Sequence, residues 1–286
     1  MMRALEPEVV DTVLAAVRYL IPVPPDSHPL GCHRQRASDF DCFEMMLVRL
    51  VTGSSWETAE VLCAKKVSDT TARARRDEWE EAGVFDALVD EAIAAYDKII
   101  GLDLSEVAVD GSLHKSPAGS EATGKNPTDR GKLGWKWSVL TDKNGVPLAW
   151  ATDGANRHDS KLFDPTLEAL AADGLLQDIE TIWLDRGYDS TVIAHRLAEL
   201  GISDALIAKK RKPKTAANTK ANQPMGLRWP VERTNSWLSN YGQLRRNTDR
   251  KIRHRLAQFA LAVVFIITAT LIDWRNRWSP GCVPIR

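Results

Sequence analysis

The chain has 286 residues, of which 44% are hydrophobic and 27% are charged, and its formal net charge is zero. This length allows two modest domains or one large one, and the composition is ordinary for a globular protein. A net charge of zero argues, taken alone, against a nucleic-acid binder. The charge is unevenly distributed, however, because residues 205–255 hold fourteen Lys or Arg and only two acids, Glu232 and Asp249. Such a segment carries the charge of a DNA-binding face, although a solvated surface is the simpler alternative.

The first hundred residues show helical periodicity. Apolar residues spaced at three and four predict helices over 5–21, 38–52 and 84–100. The chain has four cysteines and no CxxC pair, so no standard zinc pattern is present. Reduced thiols and the lack of a secretory signal predict a cytoplasmic protein.

The segment 54–79 predicts a helix, a short turn and a second helix, with Ser55 as the first cap. Thr70, Arg73 and Arg76 are predicted to share the outer face of the second helix. A recognition helix reads base edges and phosphates from such a face. The alternative is an ordinary pair of core helices with a solvated basic face.

From residue 101 onward strand and helix patterns alternate. A basic, aperiodic stretch at 213–224 predicts a loop. The run 256–272 is almost wholly apolar but shorter than the roughly twenty residues of a membrane span, so a buried core helix is expected and no membrane partner. Strands are predicted at 107–109, 134–141, 146–151, 179–184 and 205–208, and helices at 162–176, 191–200, 230–241 and 251–273.

Three acidic residues stand in distinctive local contexts. Asp110 and Asp185 each end an apolar run, and Glu232 lies early in a predicted helix. Two strand-end aspartates and a glutamate on a later helix can converge, and hard oxygen donors are what Mg²⁺ requires. Each acid also has a simpler interpretation: a turn at Asp110, a helix cap at Asp185 and a first-turn dipole contact at Glu232.

Four short motifs occur in a fixed order between residues 109 and 237, within a resemblance that covers roughly residues 30–272. Together they resemble the bacterial insertion-sequence 5 family of DDE transposases, which is related to the wider insertion-sequence 4 group. The motifs are Val109-Asp110-Gly111-Ser112 with Lys115, Asn156-Arg-His158-Asp159-Ser160, Leu184-Asp185-Arg-Gly187-Tyr188, and Pro230-Val-Glu232-Arg233 with Trp237.

The resemblance implies an α/β fold. An RNase H-like catalytic domain, a mixed sheet flanked by helices, would cover residues 101–286 and include the apolar C-terminal helix. An all-α, helix-turn-helix-like DNA-binding domain would precede it over residues 1–100. The succession of predicted strands and helices along the chain is the one expected of an RNase H-like domain.

The resemblance also implies a catalytic triad of Asp110, Asp185 and Glu232 that holds two Mg²⁺ ions, with Mn²⁺ able to substitute. Arg228 matches the arginine of the family's tyrosine–arginine–glutamate–lysine signature. The tyrosine and lysine positions fall on Met225 and Ser239, which are departures.

The implied function is transposition: binding of the element's terminal inverted repeats, cleavage, and strand transfer into target DNA. Double-stranded DNA is then the partner, a homodimer is expected in the synaptic complex, and the protein is expected at the nucleoid. A metal-dependent nuclease of the same fold and an inactive DNA-binding relic are the alternatives. The predicted DNA contacts are Thr70, Arg73, Arg76, Lys115, His158, Arg228, Arg233, Trp237, Arg245, Arg246 and Lys251.

Overall fold

The structure, a computed structural model, describes residues 5–22, 36–202, 204–207 and 228–278. The predicted loop at 213–224 lies outside these residues. The helices are α1 (Pro7–Leu20), α2 (Asp39–Thr52), α3 (Trp56–Leu62), α4 (Asp69–Glu81), α5 (Val84–Ile99), α6 (Ser160–Ala172), α7 (Thr191–Glu199), α8 (Trp229–Ser239), α9 (Gly242–Arg245) and α10 (Ile252–Trp278). The strands are β1 (Glu106–Lys115), β2 (Gly124–Lys125), β3 (Leu133–Thr141), β4 (Pro147–Gly154), β5 (Thr181–Leu184) and β6 (Asp204–Ile207).

The chain forms two compact units, one from Met1–Gly101 with Leu238–Arg286 and the other from Leu102–Trp237. The sequence-based division grouped the C-terminal helix with the catalytic domain. In the structure α10 packs against α1, α4 and α5 of the first unit, and the division into domains 1–100 and 101–286 stays a prediction. Which unit binds DNA and which catalyses stays a prediction.

The helix–turn–helix segment forms as predicted, with α3 and α4 joined by a short turn. The Ser55 hydroxyl accepts a hydrogen bond from the Thr58 N–H, and the Ser68 hydroxyl accepts one from the Thr71 N–H, so both serines cap their helices. Ala64 and Lys65 adopt left-handed backbone with φ of 55° each. The turn therefore closes without the glycine that this conformation favours.

Helix α10 is the apolar segment of the first unit. By length and composition, α10 is the one helix among the described residues that could cross a membrane. However, 72% of its most apolar window is buried inside the protein. Arg255 and Gln258 are buried on it together with the apolar side chains.

The second unit contains a mixed sheet. Strand β1 pairs antiparallel with β3 and parallel with β5, and β5 pairs parallel with β6. On the other side of β3, β4 and the short β2 pair antiparallel with it. Apart from the two-residue β2, the strands therefore lie in the order β4-β3-β1-β5-β6. A central first strand, an antiparallel meander on one side and two parallel strands on the other is the RNase H-like arrangement, so the predicted fold class is confirmed.

Candidate active site

The register of the central strands brings two aspartates together. In the parallel pairing of β1 with β5, Val109 lies opposite Leu184. The next residues of the two strands are Asp110 and Asp185. Asp110 lies within β1, which continues to Lys115 beyond the predicted strand 107–109, whereas Asp185 directly follows β5. The parallel register still places the two carboxylates side by side, as predicted. Their charges repel, and Asp185 accordingly contributes to raising the pKa of Asp110.

Asp110 is largely enclosed, with 19% of its side chain exposed. Burial raises the pKa of Asp110 from 3.8 to about 6, while Arg228 and Asn235 act in the opposite direction. The Asn235 side-chain amide donates a hydrogen bond of 3.0 Å to Oδ2 of Asp110. The carboxylate is therefore still ionised at neutral pH, in an environment that favours a neutralising cation.

The loop that follows β5 positions the Asp185 carboxylate. Its Oδ1 accepts a hydrogen bond of 2.6 Å from the backbone N–H of Gly187. A Cβ on Gly187 would lie 2.8 Å from the same oxygen. A side chain at position 187 would therefore push the Asp185 carboxylate out of this position.

Glu232 lies on the first turn of α8, with 55% of its side chain exposed. The guanidinium of Arg228 lies between two acids, with Nη2 at 3.3 Å from Glu232 Oε1 and at 3.8 Å from Asp110 Oδ1. Among the described residues no group of three or more His, Cys, Asp or Glu is arranged to hold a metal ion. The predicted meeting of carboxylates is thus seen for the two aspartates, and Glu232 is held by Arg228. Its place in a triad stays a prediction.

The aspartate pair nevertheless fits a divalent cation. Two adjacent carboxylates supply hard oxygen ligands, and Mg²⁺ is commonly held by one or two carboxylates together with phosphate oxygens of the substrate. Burial raises the pKa of Asp110 despite the opposing effects of Arg228 and Asn235, and a bound cation would stabilise the ionised carboxylate.

Comparison with known proteins decides the family. The family model described as a transposase DDE domain matches residues 101–267, which is more than half of the chain. The chain belongs to this transposase DDE family. Its place in the insertion-sequence 5 family is compatible with that result and stays a prediction.

Two relatives of the transposase DDE chain come from bacteria. It is 38% identical over 139 residues to a Burkholderia cepacia protein assigned as the transposase of insertion sequence element IS402, covering 46% of this chain and 62% of the relative. It is 31% identical over 137 residues to the transposase of IS1106 from Neisseria meningitidis serogroup B, covering 46% of this chain and 42% of the relative. The chain thus spans less than two thirds of either relative.

Solved structures of the Mos1 transposase are weakly similar. The Mos1 mariner paired-end complex with Mn matches at 9% identity with a TM-score of 0.34, covering 94% of this chain and 86% of that one. A Mos1 paired-end complex with the left transposon end matches at 11% identity with a TM-score of 0.26, covering 66% and 62%. Because these TM-scores are low, the fold class rests on the sheet topology and not on these structures.

Helix α8 of the transposase DDE chain is hydrogen-bonded to the turn of the β3–β4 hairpin. Arg233 donates a short hydrogen bond to the carbonyl of Asn144, and Thr234 donates one of 2.5 Å to the carbonyl of Gly145. The Arg233 guanidinium also lies 4.5 Å and 4.6 Å from the ring centres of Trp229 and Trp237. Arg233 and Trp237 are therefore occupied by internal contacts, in contrast to the predicted contacts with DNA.

His158 and Asp159, which belong to one sequence motif, have different surroundings. The Asp159 carboxylate lies 2.6 Å from Nζ of the buried Lys136, and a Cβ on Gly111 would meet Asp159 Oδ1 at 2.6 Å. The Lys136–Asp159 pair therefore lies directly beside the backbone that follows Asp110. His158 is exposed, and its Nδ1 lies 2.9 Å from the Ser160 hydroxyl.

One predicted DNA contact is wrong in its placement. Arg76 is 4% exposed, with its guanidinium 5.3 Å from the ring centre of Trp56 and 3.3 Å from Nε2 of His254. It lies four residues after the buried Ala72 and three before the buried Trp79, hence on the core-facing stripe of α4. DNA cannot reach a side chain there.

The other predicted contacts vary in exposure. Arg73 is half-exposed and paired with Glu57 and Asp69, which offset its charge. Arg228 is paired with the two acids described above. The remaining residues are exposed, namely Thr70, Lys115, Arg245, Arg246 and Lys251.

Sequence reasoning missed Asn235 and Lys136, although both had signals. Asn235 comes three residues after Glu232 on α8 and so lies near the same face of the helix. Lys136 stands between Trp135 and Trp137 on β3, where alternation places it on the opposite face from both indoles. A lone charge on a strand that is buried on both faces indicates a specific partner.

Proposed function

We propose that this chain is a DNA transposase that binds the terminal inverted repeats of an insertion sequence. It cleaves them and transfers the strand ends to target DNA with a divalent metal. The observation that carries the proposal is the β1–β5 register, which sets Asp110 beside Asp185 on the central strands of an RNase H-like sheet. Membership of the transposase DDE family supports it.

Asp110, Asp185 and Glu232 form the proposed catalytic triad. Two Mg²⁺ ions, or Mn²⁺ in their place, would supply activation of the attacking oxygen and stabilisation of the leaving oxygen. Asp110, within β1, and Asp185, directly after β5, would hold the cation. Gly111 lacks a Cβ and so leaves room beside Asp110 for the Lys136–Asp159 pair.

Arg228 links DNA binding to the acids. Its guanidinium pairs with Asp110 and Glu232 at 3.8 Å and 3.3 Å. A DNA phosphate offers the same guanidinium a bidentate partner. When Arg228 turns to phosphate, it releases both carboxylates for the cation.

The proposed DNA contacts are exposed residues of each unit. Lys115 and His158 belong to the second unit, and Thr70, Arg73, Arg245, Arg246 and Lys251 to the first. Arg245, Arg246 and Lys251 lie within seven residues, so together they make a dense cationic segment for phosphate contacts. Two transposon ends in one complex imply a homodimer, which acts at the nucleoid of the bacterial cytoplasm.

The test uses a supercoiled plasmid that carries the genomic flanks of this gene. The plasmid is incubated with purified protein in Mg²⁺, Mn²⁺ or Ca²⁺, and the breaks are mapped. Asp110→Ala, Asp185→Ala and Glu232→Gln are compared with Glu168→Ala, which removes an exposed acid from α6.

Breaks at the inverted repeats that are lost in the three site variants, and kept in Glu168→Ala, support the proposal. Scattered nicks that depend on Asp110 would instead indicate a nuclease. DNA binding without any breaks would indicate an inactive relic. Cleavage retained by Glu232→Gln would remove Glu232 from the triad.

A further inference from the structure

A three-residue hydrogen-bonded chain runs from the core of the second unit to the candidate site. The indole Nε1–H of Trp137 donates a hydrogen bond of 2.7 Å to Oδ1 of Asn235. The Asn235 Nδ2 in turn donates one of 3.0 Å to Oδ2 of Asp110. The chain joins β3, α8 and β1 at the point where the first aspartate leaves the core.

The chemistry of the three groups fixes the direction of this chain. An indole N–H can only donate, so the oxygen of the Asn235 amide must face Trp137. The amide nitrogen then faces Asp110, and an ionised carboxylate can only accept. Trp137 therefore determines which end of the Asn235 side chain meets the carboxylate.

Trp137 is itself held rigidly. It is fully buried, stacks on His114 at 3.6 Å between ring centres and 12° between ring planes, and packs edge-on against Trp135 at 5.1 Å. The His114 ring is fixed in turn, because its Nε2 lies 2.7 Å from the Ser112 hydroxyl. The donor that orients Asn235 thus has little freedom to move.

We propose that Asn235, held by Trp137, is the positioning residue that orients the Asp110 carboxylate. The inference rests on the proposed function, since it concerns the aspartate that is proposed to hold the cation. By engaging Oδ2, Asn235 turns Oδ1 outward, and this is the oxygen that Arg228 approaches.

A neutral amide suits this role on electrostatic grounds. A lysine or arginine in its place would compete with a cation for Asp110, and an acid would repel the carboxylate. An asparagine holds the carboxylate by one directed hydrogen bond and adds no net charge. Groups that orient a metal ligand in this way typically change metal affinity or activity by about 10- to 100-fold when they are mutated.

The test compares variants that break the chain at different links. Asn235→Leu removes both hydrogen bonds and keeps the branching of the side chain and its number of heavy atoms. Trp137→Phe keeps an aromatic ring but removes the N–H that orients the amide. Ser236→Leu, at the exposed neighbouring position of α8, is the matched control. The measurements are Mn²⁺ affinity by isothermal titration calorimetry without DNA, thermal melting, and cleavage at saturating Mn²⁺.

Asn235→Leu is expected to weaken Mn²⁺ binding by about 10- to 100-fold. Trp137→Phe should weaken it less, and the double variant should be no worse than Asn235→Leu, because both act through one chain. Ser236→Leu should match the wild type. If Asn235→Leu does not fold, Trp137→Phe decides alone, and unchanged Mn²⁺ affinity in it overturns the inference.

Other outcomes separate the inference from the proposed function. Folded Asn235→Leu with wild-type Mn²⁺ affinity and cleavage overturns the inference and leaves the transposase proposal standing. Weakened Mn²⁺ binding in the variants, with no cleavage of inverted repeats by any protein, upholds the positioning role and overturns the transposase proposal. A wild-type protein that binds no Mn²⁺ overturns both.

Discussion

The backbone N–H of Gly187 holds the Asp185 carboxylate through a hydrogen bond of 2.6 Å to Oδ1. This bond needs a glycine, because a Cβ at position 187 would lie 2.8 Å from the same oxygen. The loop after β5 thus fixes the second aspartate much as Asn235 fixes the first. The two carboxylates are oriented independently, one by backbone and one by a side chain.

Gly187→Ala should displace the Asp185 carboxylate. We expect Mn²⁺ affinity to fall by about tenfold or more, since the ligand loses its orienting partner. Calorimetric titration checks this. Gly174→Ala is the control, because its φ of +74° makes an alanine strained while nothing lies within 4 Å of the added Cβ. Gly174→Ala should lower the melting temperature and leave Mn²⁺ affinity unchanged. Wild-type Mn²⁺ affinity in Gly187→Ala would show that the Gly187 contact does not orient the ligand.

Asp110 should make stability depend on pH. Burial raises the pKa of Asp110 from 3.8 to about 6 in the folded protein. Between these values the unfolded chain loses its proton first, so the free energy of unfolding falls as pH rises from about 4 to about 6 and stays low above. Asp110→Asn should therefore stabilise the metal-free protein at pH 7.5 by up to about 3 kcal/mol and have little effect near pH 4.

Urea unfolding in EDTA at several pH values measures this difference. Asp153→Asn, at a half-exposed position of β4 in the same unit, serves as the control for the loss of one carboxylate. A difference between Asp110→Asn and the wild type that stays constant from pH 4 to 7.5 would contradict the raised pKa.

The apolar runs before Asp110 and Asp185 were sufficient to predict that two neighbouring strands place these aspartates side by side. The extent of β1 was not predicted, because the strand continues through the largely polar residues 110–115, where its pairing with β3 holds it. The position of Glu232 was harder to predict, because a residue on the first turn of a helix depends on how that helix docks. Here Thr234 docks α8 on the hairpin turn at Gly145, which is a contact between residues far apart in sequence.

The side-chain partners of the charged residues explain the remaining differences. Arginine is usually a surface residue, but α4 places the Arg76 side chain against Trp56. In the sequence, only its spacing from Ala72 and Trp79, which puts all three on one stripe of the helix, indicates this position. The apolar α10 could be recognised as a core helix. Its partners in the first unit could not, because an apolar surface does not specify which other apolar surface it meets.

Arg245 and Arg246 should contribute to DNA affinity through phosphate contacts. Both are exposed at the end of α9. Replacing both by alanine should weaken binding to all DNA sequences and lower the slope of log affinity against log salt by about 2. Arg18→Ala removes an exposed arginine from α1 and should leave the slope unchanged. Fluorescence anisotropy at 50 to 200 mM salt measures the slope, and an unaltered slope in the double variant would exclude both arginines from the interface.

Asp249 should be essential to the stability of the first unit. Arg49 donates two hydrogen bonds to the Asp249 carboxylate, of 3.0 Å and 3.1 Å, in a pair whose side chains are 3% and 4% exposed. Arg76 lies 3.6 Å from the same carboxylate. Burial lowers the pKa of Arg49, and Asp249 opposes that shift, so the aspartate is what makes the buried charge tolerable.

Asp249→Asn should therefore leave the buried guanidinium of Arg49 without its counter-ion and cost about 3–5 kcal/mol, while Arg76 keeps its pair with Asp77. Glu8→Gln is the matched control, because it removes an acid from an exposed pair with Arg275 and should cost less than about 1 kcal/mol. Urea unfolding at neutral pH, followed by circular dichroism, measures both. A loss of under about 1 kcal/mol in Asp249→Asn would mean that water or another acid compensates Arg49. The buried cluster would then not stabilise the packing of α2 against α4.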